Sequence, residues 1–395
     1  MPIQSEAYFI NELIGISRFY GGNPEYTLAG GGNTSYKNNE TLFVKASGAS
    51  LSDARGDSFV KMDRSALNAI WDKTYPASGD EREKEVLADL MASRAEGEGQ
   101  KRPSVEALLH DIIPFAYVVH LHPALVNGVC CSNDGEKAAN EIFESRGLWI
   151  PSINPGYILS RYVKQELSAY HKKHKKYPGI ILLQNHGIFA GDNTCEGVKN
   201  IYNEITAKIA ARVKRKPDFS RETRINFTLD ASEEKSGACL ESSRSRGVIS
   251  GILQTLKELA GYSSFTRSCE VMAFLKNKKA FYPVSSAFTP DHIVYAGSDP
   301  LFVEDASSEA IREGWENHTQ KTGRKPKIAA VKNTGVFSAA AAEKAAGFAL
   351  DLFKDSVKIA VYSESFGGPL FMEDDKINFI NNWEVERYRS SVSAN

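Results

Sequence analysis

The chain has 395 residues, 42% hydrophobic and 25% charged, the composition of an ordinary globular protein with room for two domains of about 150 residues each. A formal net charge of −1 gives no electrostatic basis for binding nucleic acid or an anionic membrane surface, and no apolar run approaches the ~18 residues of a membrane span. Five cysteines without a C-x-x-C pair, and an N-terminal segment carrying Glu6 and Glu12 inside its apolar pattern, point to reduced thiols in the cytoplasm and away from a signal peptide.

Residues 5–20 have the apolar spacing of an amphipathic helix, which Gly-Gly-Asn-Pro at 21–24 ends. A glycine cluster then leads into two short strands, 34–37 and 41–45, with a turn at Asn38-Asn39-Glu40. Residues 58–75 and 80–95 have helical spacing, and "PSVEALLHDIIP" (103–114) reads as a helix opening at Ser104. A strand at 116–122 follows, then a helix near 135–145, a strand in "GLWIPSI", a helix from about 160, a buried strand pair in "YPGIILLQNHGIFAG" and a helix at 195–215. Charged and small residues dominate from Lys214 to Gly247, so the reading is an α/β domain at 1–215, a charged linker at 216–247 and a second α/β domain at 248–395. In the latter the pattern gives a helix (248–260), strands ("SCEVMAFLK", "KAFYPV"), a helix (306–318), a strand ("KIAAVKN"), a helix (339–354), a strand ("VKIAVYS") and a polar tail.

The two halves echo each other. "KYPGIILLQNHGIFAG" and "RKPKIAAVKNTGVFSA" share Pro-x-Ile and Asn-x-Gly-[Ile/Val]-Phe at a constant spacing of 148 residues, with Thr334 in place of His186. The second half reads as a degenerate duplicate of the first, with chance likeness of two strand–turn–helix corners as the alternative.

The chemistry sits in the first half. In "VVHLHPALVNG", His120 and His122 are i and i+2 of a strand, so both imidazoles project from one face while Val119 and Leu121 face the other way. A third histidine, His186, precedes Gly187 at a strand end. Three histidines and a nearby carboxylate make an open zinc site with a vacant position for substrate oxygens. Taken singly, each is also readable as an ordinary strand or core histidine. The run from Gly30 through Gly32 to Asn33, Thr34 and Ser35 can turn bare backbone N–H groups toward an anion, and "KASGAS" offers a second donor-rich turn at Ser47-Gly48. Ser104 at a helix start is either an anion donor or a plain cap, and Glu106 two residues on is either a reactive carboxylate or a first-turn acid. Cys130 and Cys131 read as small apolar fillers.

In this order, GGGNTS, K-x-SG, PS-x-E, H-x-H and NHG resemble the class II aldolase/adducin family of zinc-dependent sugar-phosphate aldolases. The longer strings "AGGGNTSYK", "VKASG", "PSVEALLH", "NPGYILS" and "FTPDHIVYAGSDPLFV" are similar to the aldolase half of bifunctional rhamnulose-1-phosphate aldolase/alcohol dehydrogenase proteins. Their dehydrogenase half has no counterpart in this sequence, nor is there a G-x-G-x-x-G. The resemblance implies a class II aldolase-like three-layer α/β fold, with a central, largely antiparallel sheet flanked by helices, followed by a C-terminal α/β domain. It makes His120, His122 and His186 the ligands of Zn2+ and Glu106 the catalytic acid/base. It makes Asn33, Ser47, Gly48 and Ser104 a phosphate cradle that Gly30 and Gly32 shape. Many members carry two serines before the glutamate, whereas this chain has Ser104 and then Val105. The implied reaction is retro-aldol cleavage of a (deoxy-)ketose 1-phosphate such as rhamnulose 1-phosphate, in rhamnose catabolism, to dihydroxyacetone phosphate and an aldehyde. The alternatives are a sugar-phosphate 4-epimerase or decarboxylase on the same fold, and a non-catalytic adducin-like scaffold. The implied partners are a small sugar phosphate and further copies of the chain in a homo-oligomer, with "FTPDH" (288–292) expected at the active-site rim.

Overall fold

A computed structural model describes residues 5–227, 232–235, 243–385 and 388. They form two compact units. The first comprises the described residues of Met1–Cys130, Asp134–Arg212 and Asn382–Arg389; the second comprises those of Cys131–Asn133 and Val213–Asn381. No described helix is long and apolar enough to cross a membrane.

In the first unit, helix α1 (Glu6–Gly21) starts where the Ser5 side chain accepts the Tyr8 N–H, and it buries Leu13, Ile16 and Tyr20. Strands β1 (Asn33–Lys37) and β2 (Thr41–Lys45) form a hairpin whose turn is closed by Asn38, its side-chain oxygen accepting the N–H groups of Glu40 and Thr41. Strand β3 (Phe59–Asp63) and helices α2 (Arg64–Ala69), α3 (Gly79–Ala92) and α4 (Ala107–Ile112) follow. Then come β4 (Tyr117–Leu121), α5 (Ala124–Cys130), α6 (Gly135–Phe143), β5 (Gly147–Ile150), α7 (Tyr157–His174), β6 (Ile180–Leu183), β7 (Gly187–Asp192) and α8 (Cys195–Ala210). The sheet order is β3-β2-β1-β4-β7-β6-β5, antiparallel throughout except for the β5–β6 pair. This is the expected largely antiparallel sheet flanked by helices. Strand β4 lies at its centre, and all five of its residues are buried.

The second unit contains β8 (Thr223–Phe227), β9 (Ser232–Lys235), α9 (Ser243–Ala260), β10 (Tyr262–Arg267), α10 (Cys269–Phe274), α11 (Lys278–Phe281) and β11 (Leu301–Val303). It continues with α12 (Ser308–Thr322), β12 (Ile328–Val331), β13 (Gly335–Ala340), α13 (Glu343–Ser363) and all but the last residue of α14 (Asp374–Asn382). Its sheet order is β11-β12-β13-β10-β8-β9. The core between α9, α12 and the sheet gathers Ile252, Leu256, Phe265, Ile311, Trp315 and Phe337.

Several sequence expectations are corrected. Residues 58–75 begin as strand β3, because Phe59, Val60 and Met62 pack into the sheet, and the helix starts only after Asp63 caps it through Ser65 and Ala66. "SCEVMAFLK" is helix α10, opened by Ser268 accepting the Val271 N–H. "KAFYPV" is a helical turn started by Asn277 and continued around Pro283. "VKIAVYS" is the end of α13. Val357, Ile359, Ala360 and Val361 are all buried there, and Val357, Ile359 and Val361 alternate with other residues as they would in a strand. The expected linker is not one in its described part, because β8 and β9 pair as an antiparallel hairpin at one edge of the second sheet. Residues 228–231 and 236–242 of that expected linker lie outside the described residues. Apart from these corrections, the residues of "FTPDH" are buried, and Thr289 Oγ1 lies 2.8 Å from His292 Nδ1.

The echo seen in the sequence extends to the wiring of the two sheets. Read from one edge, β5-β6-β7-β4-β1-β2 has the order and directions of β11-β12-β13-β10-β8-β9, including one parallel pair at the same place. Leu183 pairs with Gly187 as Val331 pairs with Gly335. Between them Asn185 and Asn333 both adopt the left-handed conformation, with φ of 56° and 54°. The same loop hydrogen bonds recur: Gln184 N to Ile150 O and Lys332 N to Val303 O, each 2.9 Å, then Asn185 N to Cys130 O and Asn333 N to Leu275 O, each 3.0 Å.

Asn333 is exposed, so its place in this corner is a backbone matter. Asn333→Ala should destabilise the protein by about 1 kcal/mol and Asn333→Gly should be neutral or slightly stabilising. A thermal unfolding midpoint unchanged by the alanine would show that the left-handed turn carries no such constraint.

Candidate active site

The site begins with the register of β4. His120 lies opposite Asn33 on β1 and opposite Phe189 on β7. Its ring stacks on Phe189, with centroids 4.0 Å apart, and its Nδ1 lies 3.0 Å from the Ile188 carbonyl oxygen. Nδ1 is therefore the protonated nitrogen, and Nε2 presents its lone pair on the other side. His122, two residues on, brings its Nε2 to 2.8 Å from His120 Nε2. His186 enters from the β6–β7 turn, its ring 5.0 Å from that of His120 and 5.1 Å from that of His122. The close approach depends on Gly187, where a Cβ would fall 2.5 Å from the His122 ring and from the Leu121 carbonyl oxygen.

Glu106 completes the cluster. Its Oε1 is buried without a hydrogen-bond donor, 3.3 Å from His120 Nε2 and 3.4 Å from His186 Nε2. Its Oε2 accepts a 2.6 Å hydrogen bond from Asn33 Nδ2. Ligand atoms of His120, His122 and His186 all lie within 4.8 Å of one another, the one such convergence of metal-binding groups among the described residues. Imidazole lone pairs and a carboxylate oxygen gathered out of water repel each other unless a cation sits among them. The donor set fits a divalent metal, with the three histidines as ligands and Glu106 Oε1 beside them.

A further set of groups lies behind Glu106, of which sequence reasoning passed over His110 and Lys37. β1 points Asn33, Ser35 and Lys37 to one face, and α4 presents His110, four residues after Glu106, to the same place. His110 is fully buried, with Nδ1 2.7 Å from Ser35 Oγ, Nε2 against Asn33 Oδ1 and its ring edge-on to Phe189. Lys37 Nζ donates to the His110 carbonyl oxygen at 2.7 Å. Burial brings the Lys37 ammonium down to about 7, against the opposing pull of Asp111. The signal was present in the sequence as a histidine one helical turn after the glutamate and a lysine in phase with Asn33.

The loops expected to cradle a phosphate do meet. Ser104 N donates to Lys45 O and Ser47 N to Arg102 O, so the Ser47-Gly48 turn, with Gly48 at φ 82°, lies beside Ser104. Asn33 Nδ2 also reaches Ser104 Oγ at 3.3 Å, so its amide is directed at Ser104 and Glu106. Gly30 lies in the turn closed by Gly31 N to Leu28 O, and Gly32 has φ 70° with room for no Cβ, which would stand 2.9 Å from the His120 carbonyl oxygen. One expectation is corrected: Ser104 does not open a helix. Its Oγ accepts the Glu106 N–H, and α4 begins at Ala107 and has only six residues, so its dipole adds little at Ser104. Cys130 and Cys131 are buried as expected of fillers, and burial pushes the Cys130 thiol well up.

Comparison with known proteins bears on this region. A profile described as "Class II Aldolase and Adducin N-terminal domain" matches residues 11–207. A curated relative, "Uncharacterized oxidoreductase YuxG" of Bacillus subtilis (strain 168), is 20% identical; the alignment takes in 97% of this chain, which spans 58% of the length of that protein. Among solved structures, the N-terminal class II aldolase domain of a conserved protein from Thermoplasma acidophilum is 23% identical with a TM-score of 0.44, covering 53% of this chain and 95% of that one. An L-fuculose-1-phosphate aldolase from Thermus thermophilus is 12% identical with a TM-score of 0.33, covering 52% and 93%.

Lys37 gives a pH test of the buried network. Its proton is held more weakly in the folded chain than in the unfolded one, so the unfolded state binds the extra proton between about pH 7 and the ordinary lysine value of 10.5. The penalty is fully present below pH 7 and fades as pH rises toward 10.5. Lys37→Met should therefore gain most on the wild type near pH 7, the gap closing by about 1 kcal/mol per pH unit on going up. Denaturation curves of both proteins at pH 7, 8 and 9 measure it; a constant gap would mean that Lys37 titrates normally.

Proposed function

Because the chain belongs to the class II aldolase and adducin family through residues 11–207, we propose that it is a zinc-dependent aldolase. It cleaves a (deoxy-)ketose 1-phosphate, such as rhamnulose 1-phosphate, to dihydroxyacetone phosphate and an aldehyde. The observation that carries this reading is the meeting of His120, His122 and His186 with an anchored Glu106 on the buried centre of one sheet. His120, His122 and His186 would hold the ion, and nitrogen donors of this number suit zinc. Bound there, it supplies a Lewis acid that stabilises negative charge developing on substrate oxygens.

The residues divide the remaining tasks. Breaking the C3–C4 bond releases the aldehyde as a base takes the C4 hydroxyl proton, and the electron pair left on C3 takes up a proton. Glu106 exchanges that proton through Oε1, the oxygen that faces the histidines, while Asn33 holds Oε2. Ser47, Gly48 and Ser104 bind the phosphate, Asn33 orients Ser104, and Gly30 and Gly32 allow the chain to pass close behind. Binding energy at the phosphate, remote from the breaking bond, then serves orientation. An intact ligand set beside a placed carboxylate favours an enzyme over an adducin-like scaffold.

The second unit is, in this reading, a duplicate of the first without its chemistry. Alignment of the two sheets by their pairings sets Phe265 at the place of His120, Arg267 at that of His122 and Thr334 at that of His186. None of the three is a zinc ligand. The purified protein should therefore carry about one zinc per chain and not two, and His120→Ala or His186→Ala should lose it. Elemental analysis decides this, and stoichiometric zinc in both variants would overturn the ligand assignment.

The reaction is tested with a panel of ketose 1-phosphates and coupled detection of dihydroxyacetone phosphate. Cleavage supports the aldolase, whereas an epimer appearing without fragments would turn the assignment to a 4-epimerase. Glu106→Gln should keep its zinc and its fold while kcat falls by about 100-fold or more. Near-normal turnover in that variant would move the proton-transfer role to another group.

A further inference from the structure

We propose that His110 and Ser35 are positioning residues, whose task is to fix the Asn33 amide in the one orientation that donates to Glu106. The proposal rests on Glu106 being the acid/base of the site. It follows from matching donors to acceptors. Glu106 Oε2 accepts whether or not Oε1 carries a proton, so the Asn33 atom 2.6 Å away is the NH2 group. The same NH2 group reaches Ser104 Oγ, which already accepts the Glu106 N–H. Asn33 Oδ1 is then turned to His110, and His110 Nε2 must be its donor.

His110 has no exposed surface, and burial, with the nearby His120 and Lys37, holds its pKa well below the ordinary histidine value. A neutral imidazole has one N–H, so with Nε2 protonated Nδ1 is an acceptor, and the Ser35 hydroxyl is the donor at 2.7 Å. The hydrogen bonds therefore run in one direction, from Ser35 Oγ through His110 and Asn33 to Glu106 Oε2. Reversing the amide would set a carbonyl oxygen against a carboxyl oxygen and two N–H donors against each other. Relief would require the other tautomer of His110 and a rotated Ser35. Phe189 and the Lys37 contact to the His110 carbonyl hold the ring and its helix in place. Neither His110 nor Ser35 need touch the substrate. Their effect is that Oε2 stays occupied and Oε1 alone is presented to the reacting carbon.

Two measurements test this, and the first needs no turnover. Neutron diffraction from the perdeuterated, zinc-loaded protein should show deuterium on His110 Nε2, none on Nδ1, and the Asn33 ND2 group on Glu106. Deuterium on Nδ1, or a reversed amide, would refute the proposal whatever the reaction proves to be. The second compares His110→Phe, which keeps the ring and loses both nitrogens, with His110→Gln, whose amide can still donate to Asn33. With zinc content and KM near the wild-type values, kcat should fall about 100-fold in His110→Phe, as expected for a misplaced catalytic group, and recover most of that in His110→Gln. Wild-type kcat in folded His110→Phe, or no recovery in zinc-loaded His110→Gln, would also refute it. A wild-type protein inactive on every ketose 1-phosphate would count against the aldolase reading and leave the neutron result standing.

Discussion

The register of β4 between β1 and β7 is the constraint on which the site depends. It sets Asn33, His120 and Phe189 side by side across three strands. A one-residue slip on either side would turn these side chains to the opposite face of the sheet. With that register in place, Phe189 supports the His120 ring from below and Ile188 holds its Nδ1 proton, while Asn33 reaches across to Glu106. The His120 ring is thus oriented by backbone pairing and ring packing alone.

Such a cluster is costly to bury, and its neighbours show how the cost is met. Asn33, Ser35, His110 and Lys37 each have a hydrogen-bond partner inside the sheet–helix layer. Lys37 meets the cost by holding its proton weakly, and His110 by remaining neutral. Glu106 Oε1 is the exception, a buried acceptor without a donor. In a network otherwise satisfied, that exception stands where three imidazoles converge, which is where a cation would complete the balance.

The second unit offers an internal comparison. It keeps the strand order, the parallel pair, the left-handed asparagine and the glycine after it. Gly335 has no room for a Cβ, which would stand 2.3 Å from the Phe265 ring, much as a Cβ on Gly187 would meet His122. Phe265 and Phe337 pack ring against ring, 4.9 Å between centroids, at the places of His120 and Phe189. An apolar pair there needs no counter-ion. The comparison separates the asparagine and glycine, common to both corners, from the histidines, which only the first unit carries there.

The sequence by itself marked the three histidines that converge and the largely antiparallel architecture of the first unit. The i, i+2 phase of His120 and His122 follows from strand geometry, and glycine and asparagine mark their turns by backbone conformation, so both are local properties. Local rules failed where burial was nearly complete: at the end of α13 Val357, Ile359 and Val361 are all buried and alternate as in a strand, and β3 was taken for a helix because its pairing with β2 lies outside the window read there. Tertiary structure alone decided that Asn33 faces Glu106 across 73 positions of chain, and that Ser35 and His110 stand behind it. A hydrogen-bond partner at that separation is set by the pairing of β1 with β4 and the packing of α4 behind them, and no window of sequence contains both ends.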